Sequence, residues 1–275
     1  MTCIIDSGKS ACKRRGEFCR LFGTALLCAA ISSIASGQAA VQRDQQALTI
    51  LSQTLAVGGG QNLVTSIQDL TETGTATFNL DSEVRASLTI KARGLQQIRI
   101  DADLPEGRRS TVVNASGGLL READGQLRAI NRQGAVDLRN MTFPCLPLIA
   151  AMQDSSMTVV YIGLVTRDGA PAYDVRIGKD FASEHGSPRQ RGLHLRDFYI
   201  DPKSFLVIAM SDTIRSSSDS QDSGLPHEVL YSNYQSQNGI TMPMTVSEKV
   251  GGVTDISMEL SQVTFNSGLT DSDFQ

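Results

Sequence analysis

Hydrophobic and polar positions along the chain follow two different periods, and the change from one to the other divides it. Ala47, Leu48, Leu51 and Leu55 recur at helical spacing after Asp44, a residue suited to an N-cap. Gly58-Gly59-Gly60 stops that helix. A second short helix is predicted from Gln61 to Ile67, with Leu63, Val64 and Ile67 on one face. After Leu70 the period falls to two. Leu88, Ile90 and Ala92 alternate with Thr89 and Lys91, and Ile98, Ile100 and Ala102 alternate with Arg99 and Asp101. Such alternation predicts strands with one buried and one wet face. Short strands follow around Val112-Val113, Leu119-Leu120 and Leu127, separated by Ser116-Gly117-Gly118 and Asp124-Gly125.

Residues 143–153 interrupt the rhythm: Pro144 and Pro147 flank Cys145, and Leu146 to Met152 predicts a short helix packed on the sheet. Strands resume at Met157–Val165 and Tyr173–Ile177. A hairpin from Leu193 to Met210 turns at Asp201-Pro202-Lys203-Ser204, which suits a type I turn. In the last strands Ile240, Met242, Met244 and Val246 share a face, as do Ile256, Met258 and Leu260. The phase slips at Ser261-Gln262 and continues with Val263 and Phe265, which predicts a β-bulge. Pro243 removes a backbone donor and predicts an edge or a bulge in its strand. The sum is ten or eleven strands, mostly antiparallel, with two helices before them and one among them. That order predicts one curved sheet with helices across its concave side, not two domains.

The first 40 residues read differently. Lys13-Arg14-Arg15 and Arg20 precede an uncharged run from Leu21 to Ile34, and Ala35-Ser36-Gly37-Gln38-Ala39-Ala40 is rich in small residues. This is the pattern of a secretory signal over 1–39, cleaved after Gly37 or Ala39. A retained anchor is the rival, but the run is short and interrupted for a membrane span. Residues 40–275 are expected to form a single domain outside the cytoplasm, in the periplasm or secreted, with no stable membrane span after cleavage.

Charge and cysteine content narrow the function. The leader carries five basic and two acidic residues, a net of +3; the whole chain is −4, so the body is −7. An acidic body without a basic tract argues against nucleic acid as a partner. Four of the five cysteines lie in the leader, so Cys145 alone remains and reads as a small buried apolar residue. His185 and His227 fall in polar loops containing glycine or proline, and His194 sits at a wet strand position. No pair has metal-ligand spacing, so no metal is expected. No serine lies in a nucleophile elbow, the triple glycine lacks the residues of a phosphate loop, and Glu122 with Asp124 reads as turn solvation. The apolar inventory says more: the body has seven methionines and no tryptophan, and Met210, Met242, Met244 and Met258 fall in the last four strands. Methionine lines surfaces that accept varied apolar shapes, and equally it fills cores.

Several stretches resemble the outer-membrane lipoprotein carrier (LolA-like) family. Ala47-Leu48 through Gly58-Gly59-Gly60-Gln61-Asn62-Leu63 and Ile67 is similar to that family's helix-GG-helix opening. Leu88 to Gly94 resembles the strand that ends in a basic residue and proline, with Gly94 where the proline would stand. Asn114-Ala115-Ser116-Gly117-Gly118 resembles the turn that follows. Phe198 to Ser204 resembles the late hairpin. Tyr231-Ser232-Asn233-Tyr234, Gly239-Ile240, Met242-Pro243 and Val263 to Asn266 resemble the ending of divergent members. The resemblance implies an incomplete β-barrel, or half-barrel, covered by short helices. It also implies a periplasmic, non-catalytic carrier that shields acyl chains of lipids or lipoproteins and works without a cofactor, with inner- or outer-membrane delivery proteins as partners. In that family an arginine on the early strand holds the helical lid closed, and Arg93 is the nearest match. The expected ligand-binding residues are Met210, Met242, Met244, Met258, Ile90, Ile100 and Arg93. Two other readings share the fold: a domain that senses envelope stress through a protein partner, and a cofactor-free enzyme. Fold does not choose among the three.

Overall fold

The computed structural model describes residues 41–79, 82–94, 96–114, 117–130, 141, 143–179, 195–214 and 224–275. Two α-helices open this part of the chain, α1 (Gln45–Val57) and α2 (Gln61–Thr65). Six strands follow: β1 (Asp69–Asn79), β2 (Glu83–Arg93), β3 (Gln97–Leu104), β4 (Gly107–Asn114), β5 (Gly117–Arg121) and β6 (Leu127–Ile130). After helix α3 (Cys145–Gln153) come β7 (Thr158–Arg167), β8 (Ala170–Gly178), β9 (Leu195–Ile200), β10 (Val207–Ile214), β11 (Leu225–Gln237), β12 (Ile240–Val250) and β13 (Val253–Phe265). A 3₁₀ helix at Asp271–Phe274 ends the chain.

All 13 strands belong to one antiparallel sheet, in the order β6-β5-β4-β3-β2-β1-β13-β12-β11-β10-β9-β8-β7. The chain starts in the middle at β1 and meanders out to β6. It then crosses to the opposite edge at β7, with α3 on the way, and meanders back to β13 beside β1. Neither end strand pairs with the other, so the sheet is an open, incomplete barrel. The strand count exceeds the ten or eleven read from the sequence; β1 and β11 are long but largely polar, so apolar alternation does not mark them.

Register fixes which residues face inward. Ile100 stands opposite Ile90, Ile90 opposite Glu72, Ala76 opposite Met258, Met258 opposite Val246, and Val246 opposite Tyr231. These residues share the concave face, where they join one hydrophobic cluster with Leu51, Leu55, Leu148 and Phe143. The predicted bulge is present: Thr73 pairs with Gln262 but Gly74 pairs with Leu260, so Ser261 is the extra residue. Gly74 is required at that point, because a Cβ there would stand 2.1 Å from the Glu259 carbonyl oxygen. Pro243 pairs with Tyr234 on β11, while the ladder to β13 begins only at Thr245. β12 is therefore one-sided at Pro243, where a missing donor costs little.

The helices lie over the concave side. α1 buries Ala47, Ile50, Leu51, Thr54 and Leu55, and α3 buries Cys145, Pro147, Leu148, Ile149 and Ala151. Each fully buried leucine contributes about 2 kcal/mol by removal from water. Asp44 occupies the N-cap position of α1, but its side chain makes no cap bond; it accepts from the Tyr161 backbone N–H at 3.1 Å. Backbone bonds from Asp44 to Val159 and from Val159 to Gln42 tie the same segment to β7. Arg43 donates to the carbonyls of Ala151, Asp154 and Met157, each at 2.9 Å, and so satisfies the free end of α3. At the other end of α1, Gly59 has φ +126°, and a Cβ there would meet the Gly239 carbonyl at 2.7 Å. The triple glycine thus does more than stop a helix. It lets the α1–α2 corner rest on the β11–β12 turn, where Thr241 N–H donates to Gly58 O at 3.0 Å.

Candidate functional site

Met210 on β10, Met242 and Met244 on β12, and Met258 on β13 are all buried on the concave face. Ile90 on β2 is buried and Ile100 on β3 is half-buried on the same face, across β1 from the methionines. Six of the seven expected ligand-binding residues therefore line one wall, in two groups. The wall packs against other side chains, among them Phe143, Leu148 and Phe198.

Arg93 stands apart from that wall. It follows Ala92 on β2 and points to the convex face. There it pairs with Asp271, donates to the Leu269 carbonyl at 3.1 Å, and lies 5.7 Å from the centroid of the Phe274 ring. Apart from a bond from its Nε to Gln97 on β3, these contacts go to the C-terminal strap, residues 266–275, and not to α1, α2 or α3. Asp69 starts the strap by accepting from Ser267 N, Gly268 N and Leu269 N at 2.7, 3.0 and 3.1 Å. Lys91 pairs with Asp273 at 2.7 Å, Arg99 donates to Gln275 O at 3.0 Å, and Phe274 is buried. Between this strap and the convex face of β3–β5 opens a cavity of about 700 Å³.

Two polar features of the concave side escaped the sequence reading. Glu72, between Leu70 and Ala76 in the inward phase of β1, is 1% exposed, and its Oε1 has no hydrogen-bond partner. Burial pushes its carboxyl from 4.5 up to about 8, so it is largely protonated at neutral pH. The second feature corrects the placement of His227. That residue is not in a loop; it sits on β11, fully buried, in phase with Val229 and Tyr231. Its Nδ1 lies 2.6 Å from Asp212 Oδ1 and its Nε2 lies 2.9 Å from Glu248 Oε1. Arg196 Nε donates to Asp212 Oδ2 at 2.9 Å. Burial by itself would lower the imidazole, but hydrogen bonds to Asp212 and Glu248, with their charges, outweigh it and hold His227 up at about 10. The charged ring donates from both nitrogens, which a neutral ring cannot do. Two cations thus face two carboxylates, and the cluster is electrically balanced inside the fold. Continuing the alternation back from Val229 would have placed His227 inward; Pro226 beside it suggested a loop instead.

Cys145 opens α3, buried, with its thiol pushed up to about 12 by desolvation, as expected of an apolar filler and not of a nucleophile. His185 and His194 lie outside the described residues. Among the described residues no group of three His, Cys, Asp or Glu side chains is placed to hold a metal ion. No described helix is long and apolar enough to cross a membrane.

No protein-family model matches the sequence, and no curated protein matches it. Solved structures do. A LolA superfamily protein from Nitrosomonas europaea superposes with a TM-score of 0.50 at 10% identity, over 83% of this chain and 97% of that one. The chain has the LolA-like fold. A DUF1329 family protein from Desulfovibrio piger matches with a TM-score of 0.49 at 11% identity, over 82% of this chain and 96% of that one. At such identities the likeness concerns the path of the backbone. The site has to be read from this chain's own residues.

Proposed function

We propose that the chain is a non-catalytic carrier or binding protein for acyl chains of lipids or lipoproteins, exported by the leader 1–39 and working in the periplasm as the single domain 40–275. The observation that carries this reading is the methionine wall. Met210, Met242, Met244 and Met258 all face the concave side of an open sheet, on β10, β12 and β13, within the core cluster that the helices cover. Methionine side chains repack around varied apolar shapes. Each methylene of a hydrocarbon tail that replaced protein contacts on this wall would gain about 0.8 kcal/mol over water, so a tail of ordinary length needs no catalytic or charged group to be held.

In this reading the helices and the wall share one packed core that must part to admit a tail. The helices are held chiefly at the β7 side, by Arg43 and the backbone bonds of Gln42 and Asp44, and at the glycine corner on Gly239. A tail enters by parting the helices from the β12–β13 wall while those two attachments persist. Delivery proteins of the inner or outer membrane are the partners this cycle requires.

The test is to express residues 41–275 with their leader, purify from the periplasm, extract with organic solvent and identify released lipid by mass spectrometry. Titration of delipidated protein with a fluorescent fatty acid follows. Saturable binding with release by unlabelled fatty acid is expected. Protein that is lipid-free in every preparation and takes up no probe overturns the proposal.

A further inference from the structure

We propose that the outer face of β3–β5 carries a second site, separate from the concave wall, that binds a phosphate group joined to an apolar moiety. The C-terminal strap turns an otherwise open sheet face into this site. Its cavity, about 700 Å³, is of the size that holds a small organic ligand. Register explains the lining. Arg99 pairs with Val112, Val112 with Leu119, and Ser110 with Arg121, so these side chains leave the sheet on the same side. Phe274 and Gln275 of the strap close the cavity from above.

The chemistry of the lining selects the ligand. Three guanidinium groups border one cavity: Arg99, Arg108 and Arg121. Arg99 and Arg108 each commit Nε to an aspartate of β3, Asp101 at 2.9 Å and Asp103 at 2.7 Å. Arg108 keeps its two terminal nitrogens for a ligand. Arg121 has no ion-pair partner among the described residues. Guanidinium nitrogens in a planar fork match phosphate oxygens in pairs, which makes arginine the residue of choice for this anion. Val112 and Leu119 supply an apolar surface beside the cations, with the buried Phe274 anchoring the strap that borders it, so the ligand is a phosphate carried on something greasy or aromatic and not a bare polyanion. Leu119 is 43% exposed, so its side chain is open to a ligand.

Nearby, the strap already satisfies the remaining cations. Asp271 and Asp273 pair with Arg93 and Lys91, so these strap carboxylates are engaged away from Arg108 and Arg121. Bonds from Asp69 and the insertion of Phe274 fix the strap's position. Beside the strap, Arg121 and the terminal nitrogens of Arg108, whose Nε is held by Asp103, face the cavity.

Two sources carry this chemistry, a phospholipid headgroup at a membrane surface and a free phosphate compound, and one experiment divides them. Residues 41–275 are tested as wild type, as R108A/R121A, and as R128A, an exposed arginine of β6 outside this cavity. One arm measures co-sedimentation with vesicles of phosphatidylglycerol against vesicles of phosphatidylcholine. The other measures binding of inorganic phosphate and of phenyl phosphate by calorimetry. Wild type and R128A should bind phosphatidylglycerol vesicles or phenyl phosphate, with inorganic phosphate weaker, and R108A/R121A should lose at least tenfold in affinity. Binding confined to vesicles assigns the headgroup; binding of phenyl phosphate without vesicles assigns the free compound. F274A should lose binding while circular dichroism and thermal unfolding show the sheet intact. Equal binding by wild type and R108A/R121A, or none by wild type in either arm, overturns the proposal. Both outcomes leave acyl binding at the methionine wall untouched.

Discussion

Replacing Glu72 by glutamine removes a titrating group from the most apolar part of the protein, and the effect of pH follows directly. In the folded chain this carboxyl is raised from 4.5 to about 8 by burial. Between those values the folded state keeps a proton that the unfolded chain releases. Stability therefore falls as pH rises from about 4.5 to about 8 and levels off above that. At about 1.4 kcal/mol per tenfold change in proton affinity, the fall is about 5 kcal/mol at most, a large share of the 5–15 kcal/mol typical of a domain. Glutamine has nearly the same shape and no charge. Its amide adds a buried donor without a partner, a cost of about 1–3 kcal/mol that does not depend on pH. The two effects separate in the slope. Urea denaturation of residues 41–275 should be followed at one-unit steps from pH 4 to pH 9. Near pH 4 E72Q should be the less stable protein, and by pH 9 it should be the more stable one. Parallel pH profiles for the two proteins would refute the assignment of Glu72 as a buried, neutral carboxyl.

The cluster around His227 gives a further pH signature. Its imidazole is raised from 6.5 to about 10, so the stabilisation is complete below 6.5 and is lost as pH climbs to about 10; H227Q should flatten that alkaline loss in the same urea assay and cost about 3–5 kcal/mol near pH 6, because it leaves Asp212 and Glu248 short of a cation. G74A should destabilise by more than about 2 kcal/mol in thermal or urea unfolding, since its Cβ would meet the Glu259 carbonyl at 2.1 Å and backbone must move. A mutant as stable as wild type would show that the bulge at Ser261 relaxes freely. Cys145, buried with its thiol pushed up to about 12, should resist a thiol reagent in native protein of residues 41–275 and react once urea unfolds it; rapid native labelling at pH 8 would place it at the surface.

The sheet was legible because alternation is a local signal. The hydrophobic phase of Ile240 to Val246 and of Ile256 to Leu260 faces one core, and the slip after Leu260 marks the bulge. Helix α3 was legible from its prolines and the apolar run after them. What the local pattern missed depends on distant partners. His227 is neutral in a pattern count, and only Asp212 and Glu248, from the two neighbouring strands, explain its burial. Glu72 lies between Thr71 and Thr73, and only the pairing of β1 with β2 and β13 shows that it turns inward. The strap carries no periodicity at all. Asp271, Asp273 and Phe274 acquire meaning only from Arg93, Lys91 and Asn114, more than 150 positions earlier. For the same reason Arg93 was matched to a helical lid, whereas its contacts lie with that strap on the other face.

The methionine wall can be observed directly through its methyl groups. Residues 41–275 with ¹³C-methyl methionine should give seven signals, for Met141, Met152, Met157, Met210, Met242, Met244 and Met258, assigned by single Met→Leu variants. Titration with a long-chain fatty acid should shift the signals of Met210, Met242, Met244 and Met258 together and saturably. An unchanged spectrum, or shifts that spare these four residues, would contradict acyl binding on the concave face.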